Sequence, residues 1–177
     1  MKDFVTNAYT LRVVPSRDFD KTAHLFTEDF GKIEVRVVSG RKILSKFSPH
    51  LEPMQRVSIR LAKRSGFTLT DVLSNDICNK AKKDTQLWSL ALKSFSLIHA
   101  LAPREVKDER LWNVLEEMNK TGTINPKEVL SCLGYDAHHA ICDICGAQSI
   151  AGFDIYTQLF LCVECSNKTQ ESRIVIL

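Results

Sequence analysis

Four cysteines carry the most specific chemistry in this chain: Cys142, Cys145, Cys162 and Cys165 form two C-x2-C pairs with sixteen residues between them. Each C-x2-C turn offers two sulfurs to one ion, and the doubled pair has the spacing of a four-thiolate zinc site rather than of free thiols or a redox pair. Four protein sulfurs close the coordination sphere, whereas a catalytic zinc keeps one position open. The expected role of the Zn2+ is therefore structural. Gly146 directly follows Cys145, where a tight turn needs freedom at positive φ. The insert Phe153–Leu161 is apolar or β-forming and suits a short hairpin. His138 and His139, just upstream, are able to replace a thiolate but read as surface residues of the approach loop. The segment 137–167 is too short to bury a core of its own, so metal binding there supplies folding energy directly.

The remaining chemistry is electrostatic. The 177-residue chain is 44% hydrophobic and 25% charged with a net charge of +3, an ordinary balance for a soluble globular protein. Between Lys32 and Arg64, however, nine basic residues face only Glu34 and Glu52, so that stretch carries +7 and the other 144 residues sum to −4. A local positive block points to a polyanionic partner, against the plainer reading of a solvated strand face. The candidate phosphate contacts are Arg36, Arg41, Lys42, Lys46, Arg56, Arg60, Lys63 and Arg64. Such contacts neutralise phosphates and release counterions without reading sequence. Phe47, beside Lys46, is either a base-stacking aromatic or a core residue. No apolar run approaches the ~20 residues of a membrane span, and the N-terminus lacks the apolar core of a signal peptide. A cytoplasmic, nucleoid-associated location is expected. Six cysteines in an unexported chain favour metal or free thiols over disulfides. Cys78 and Cys132 match no ligand spacing and read as buried small hydrophobes, and His24 and His99 read as structural.

The elements that must position these groups change character near residue 80. Before it, five stretches read as strands: 9–14, 22–27, 32–38, 56–61 and 67–72. In the third, Ile33, Val35 and Val37 alternate with Lys32, Glu34 and Arg36; in the fourth, Val57, Ile59 and Leu61 alternate with Arg56, Ser58 and Arg60. Five short strands in about 70 residues suggest a small closed barrel. After residue 80, Leu87, Leu90, Ala91, Phe95, Ile98 and Leu101 recur at helical spacing, capped by Asp84 or Thr85 and stopped at Pro103. A second helix is expected from Glu105 to Lys120, ended by Gly122. A third runs from Lys127 to Leu133 after an Asn125-Pro126 start. The expected fold class is α+β, with domains 1–80 and 81–177, the second containing the zinc motif at 140–167.

Taken in order, the motifs Leu25-Phe-Thr-Glu-Asp-Phe-Gly-Lys-Ile33, Ser39-Gly-Arg-Lys42, Leu51-Glu-Pro53, Val129-Leu-Ser-Cys-Leu-Gly-Tyr135, Cys142-Asp-Ile-Cys-Gly146 and Cys162-Val-Glu-Cys165 resemble the bacterial DNA repair family RecO, from about Tyr9 to Cys165. The resemblance implies an N-terminal OB-fold, a helical domain with an inserted zinc motif, and a recombination mediator rather than an enzyme. It implies binding of single- and double-stranded DNA, strand annealing, and work with RecR and single-strand binding protein toward loading RecA. It places Arg36, Arg41, Lys42 and Lys46 on the family's positive barrel surface and the four cysteines on its zinc ligands. It also implies further helices after the second cysteine pair, where only Ser166–Leu177 follow. That tail ends in the apolar Arg173-Ile-Val-Ile-Leu177, which either packs on its own domain or docks a partner subunit. Two rival readings share some of these features. One is a zinc-ribbon module acting in transcription or on RNA. The other is a zinc-dependent hydrolase, opposed by the closed ligand set and by the absence of an H-E-x-x-H or H-x-E signature.

Overall fold

The computed structural model describes residues 2–16, 19–40, 47–76, 84–170 and 173–177; Arg41, Lys42, Lys46 and Cys78 lie outside them. Five strands, β1 (Lys2–Pro15), β2 (Lys21–Thr27), β3 (Gly31–Val37), β4 (Arg56–Lys63) and β5 (Phe67–Asp76), close into a barrel of order β1-β2-β3-β5-β4. All neighbours are antiparallel except β3 and β5, which run parallel. This is the OB-type arrangement. The barrel interior is aliphatic: Leu25, Ile33, Val35, Val37, Val57, Ile59 and Leu61 are almost fully buried together. Each such side chain contributes roughly 1.5–3 kcal/mol by leaving water. Phe47 packs against this cluster, on the core side of its two expected roles.

β1 is twice as long as its alternation suggested. Its first half pairs with β4 from Lys2↔Lys63 to Tyr9↔Arg56, and its second half pairs with β2, with an irregularity between Thr10 and Arg12. One strand thus serves both neighbours and seals the barrel. Its period is obscured because Ala8, Tyr9, Thr10 and Leu11 are all buried: the inner face meets the barrel core and the outer face meets the helices.

Two helices cover that outer face, and a third packs on both of them. α1 (Thr85–Leu101) starts at Asp84, whose carboxylate accepts from the amides of Gln86 (2.8 Å) and Leu87 (3.2 Å). α2 (Glu109–Thr121) is capped by Asp108 and ends at Gly122 with φ 83°. α3 (Pro126–Cys132) begins with Asn125 accepting from Lys127 N. α2 starts four residues later than the sequence suggested because the preceding stretch is tied to the barrel. Glu105 N donates to Lys32 O at 2.9 Å, and Gly31 lies so close to this stretch that a Cβ would fall 1.8 Å from Val106 O. Only glycine fits there. The helical core takes in Tyr9, Leu11, Phe26 and Met54 from the barrel side along with Phe95, Ile98, Leu111, Leu115 and Val129. The change of period near residue 80 therefore marks a change of secondary structure across which one hydrophobic core continues. Cys132 lies half-buried at the edge of that core.

The C-terminal end is a small sheet, β7-β6-β8, from β6 (Gly152–Asp154), β7 (Leu159–Leu161) and β8 (Ile174–Ile176), with a short helix α4 (Val163–Ser166). β6 and β7 are the expected hairpin. The apolar tail packs on its own domain as β8, with Val175 buried in the helical core and Ile174 beside the cysteines. Among the described residues no helix is long and apolar enough to cross a membrane.

Candidate metal centre and basic barrel surface

The two cysteine pairs arrive from different local structures. The first sits in a turn: Gly146 N donates to Cys142 O at 2.8 Å, and Cys142 N donates to Ala147 O at 2.8 Å. Gly146 has φ 74°, the conformation expected of it. The second pair starts α4, with Ser166 N donating to Cys162 O at 2.9 Å. Asp143 joins the halves: its amide donates to Phe160 O (2.9 Å), and its carboxylate accepts from Phe160 N (2.6 Å). This bracing residue escaped the sequence reading, although it occupies an x position of the first C-x2-C.

The four sulfurs lie within 4.8 Å of one another, with Cys145 Sγ and Cys162 Sγ 3.6 Å apart. A tetrahedral ion with metal–sulfur bonds of ~2.3 Å needs sulfurs about 3.8 Å apart, so the donor set fits a thiophilic divalent ion. The Cys142 thiol is lowered to about 6, first by the backbone N–H of Cys162 and then, against burial, by those of Cys145 and Ile144. The Cys165 thiol is pushed up to about 12 by burial and by its sulfur neighbours. One sulfur is thus already disposed to be a thiolate, and a cation is what allows the set to lose its remaining protons. His138 and His139 are exposed and outside this group; His139 Nδ1 lies 2.8 Å from Asp136. A second brace is Asp154, almost fully buried, paired to Arg173 at 2.8 Å. Burial works to raise the Asp154 pKa, but the amides of Tyr156 and Thr157 and the Arg173 guanidinium hold it below the usual range.

The basic block is divided by the fold. Lys32 is buried and donates to His99 O at 2.8 Å. Arg56 is half-buried and pairs with Glu116 of α2 at 2.7 Å; Tyr9 OH donates to the same carboxylate at 3.2 Å. Burial and Glu116 together raise the Tyr9 pKa, so its hydroxyl keeps the proton it donates. Arg36 is exposed but paired to Asp20 at 2.7 Å. Lys63 pairs with Glu105 at 2.8 Å and lies over the Phe67 ring at 4.3 Å. Arg60 and Arg64 are exposed; Asp71 stands across the ladder from Arg60. Among the described members of the block, Arg36, Arg60, Lys63 and Arg64 remain reachable from solvent on the barrel, while Lys32 and Arg56 join the barrel to the helices.

Residues 1–80 match the family model described as "Recombination protein O N terminal". Over 93% of its length the chain is 25% identical to the DNA repair protein RecO of Geobacter metallireducens, covering 73% of that protein. It is 25% identical over 93% of its length to the DNA repair protein RecO of Thermodesulfovibrio yellowstonii, covering 70% of it. It is 28% identical over 64% of its length to the DNA repair protein RecO of Dehalococcoides mccartyi, covering 45% of it. With a five-stranded barrel under the family model, helices behind it and a four-cysteine cluster at its end, this chain is similar over most of its length to the RecO proteins of DNA repair and recombination.

Proposed function

We propose that this protein is a recombination mediator. It binds single- and double-stranded DNA on the outer face of its barrel and anneals complementary strands. With RecR it helps load RecA onto DNA covered by single-strand binding protein. The observation that carries this reading is the exposed cation set Arg36, Arg60, Lys63 and Arg64 on a barrel that matches the RecO N-terminal family. Arg41, Lys42 and Lys46, outside the described residues, add three positive charges to the same stretch of sequence. Contacts of this kind hold phosphates by charge and counterion release, so either form of DNA is accepted without sequence preference. Annealing then needs no chemical step: screening two phosphate backbones together lowers the barrier to pairing. The protein acts by binding, not as an enzyme.

The metal assigned to Cys142, Cys145, Cys162 and Cys165 is zinc, in a structural role. Bound there, it supplies four strong ligand bonds and no open position. The test is annealing of complementary strands coated with single-strand binding protein. Pairing accelerated by this protein is expected; pairing at the uncatalysed rate contradicts the proposal.

A further inference from the structure

Where α1 meets the barrel there is a cavity of about 480 Å3, lined by His24, Lys32, Glu34, Phe67, His99 and Arg104. Its lining carries two cations, Lys32 and Arg104, and two carboxylates, Glu34 and Glu105, but they are not evenly paired. Lys32 is only 9% exposed. Its Nζ donates to the His99 carbonyl at 2.8 Å, and among the described residues no carboxylate pairs with it. An ammonium has three N–H donors, and a buried cation facing one neutral acceptor is poorly compensated. Glu34, the acid in the wall, is already held by Arg104 at 2.7 Å and lies 3.7 Å from His24 Nδ1. Glu105, at the rim, is taken by Lys63 at 2.8 Å. The rings of His24 and His99 meet edge to face at 4.8 Å, and Arg12 adds to the positive field on both. Burial lowers the pKa of Lys32 and of both histidines, and the nearby Glu34 carboxylate only partly offsets it.

We propose that this cleft is a binding site for a phosphate monoester, with Lys32 and Arg104 on the phosphoryl oxygens and His24 and His99 as further donors. Arg104 gives one Nη to Glu34 and has other N–H groups to offer. The cavity is of the size that takes a small ligand, and the Phe67 ring supplies an apolar wall. A free nucleotide and the phosphorylated end of a DNA strand share this chemistry. The site adjoins Lys63, one of the cations assigned to the DNA backbone, through Glu105 and Phe67, but Lys32, Arg104, His24 and His99 are not in that set, so its failure would leave that assignment untouched.

The experiment titrates the full chain with inorganic phosphate, against chloride at matched ionic strength, following the ring resonances of His24 and His99. A saturable shift of both is expected, weakened about tenfold by Lys32→Met and several-fold by Arg104→Gln. Because Lys32 is buried, Arg104→Gln, at an exposed position, decides alone if the first variant does not fold. DNA oligonucleotides of one sequence, with 5′-phosphate or 5′-hydroxyl, then separate the sources. Tighter binding of the phosphorylated form assigns the strand end; equal binding, with a shift on adding a mononucleotide, assigns the free nucleotide. No saturable shift, or a shift that survives both substitutions, overturns the proposal.

Discussion

The barrel and the cysteine end are held together by different physics. Every barrel strand has two ladder neighbours, the strands are 7–14 residues long, and the interior is aliphatic. The cysteine end has three strands of three residues each, and its local cluster buries Leu161, Ile174 and three of the cysteines, with Ala147 and Leu159 packed against them. The barrel is sustained by burial. At the other end, a metal held by the four sulfurs would offset the entropy of ordering a loop-rich segment. On the proposed function the two regions divide the work: the barrel, with its own aliphatic interior, presents charge to DNA, while the cysteine end shapes and braces.

The sharpest way to break the comparison is to remove the metal. Chelation, or Cys162→Ser, is expected to lower the melting temperature of the helical half by about 10 °C or more while amide-exchange protection in β3 and β4 persists. An unchanged melting curve after verified metal loss contradicts this. The joint between the regions is a smaller lever. Glu116→Ala leaves Arg56 and Tyr9 OH without their shared acceptor and is expected to cost about 1–3 kcal/mol in denaturant unfolding, with DNA affinity maintained. A large loss of DNA affinity in the folded variant would mean that the joint and the binding surface are not separate.

The smallest effect is on pH. His24 and His99 have folded pKa values depressed by burial below 6.5, so the folded state binds fewer protons than the unfolded one. Their contribution is complete above about pH 6.5 and is lost as pH falls through the folded values. Stability from pH 7.5 to 5.5 should therefore decline, less so in the double His→Gln variant. A slope identical in both proteins contradicts the assignment.

Spacing and period made some of this legible in advance. The C-x2-C pairs alone located the four-cysteine cluster, because ligand spacing is a local property. Ile33, Val35 and Val37, and Val57, Ile59 and Leu61, alternated as they are buried. What the sequence hid is where a barrel's outer face meets something else. Lys32 and Arg56 sit at outward positions that read as solvent, yet α1 and α2 cover them. The first half of β1 was missed because Lys2 to Asn7 has no clean apolar alternation: Val5 is exposed and Thr6 is buried. His24 and His99 are brought into ring contact from 75 residues apart by the packing of α1, which no local pattern encodes. The start of α2 was misplaced because Gly31 and Lys32 claim the backbone at 105–107.

The central claim, that DNA is held by charge on the barrel and not at the metal end, is tested most directly by the salt dependence of DNA affinity. Duplex affinity measured against salt for the native protein, for Arg60→Ala/Arg64→Ala and for Cys162→Ser should give straight double-logarithmic lines. The double arginine variant should be flatter by about 2 and weakened alike on unrelated sequences, and Cys162→Ser should keep the native slope. An unchanged slope in the arginine variant, or a slope lost only in Cys162→Ser, would contradict the account.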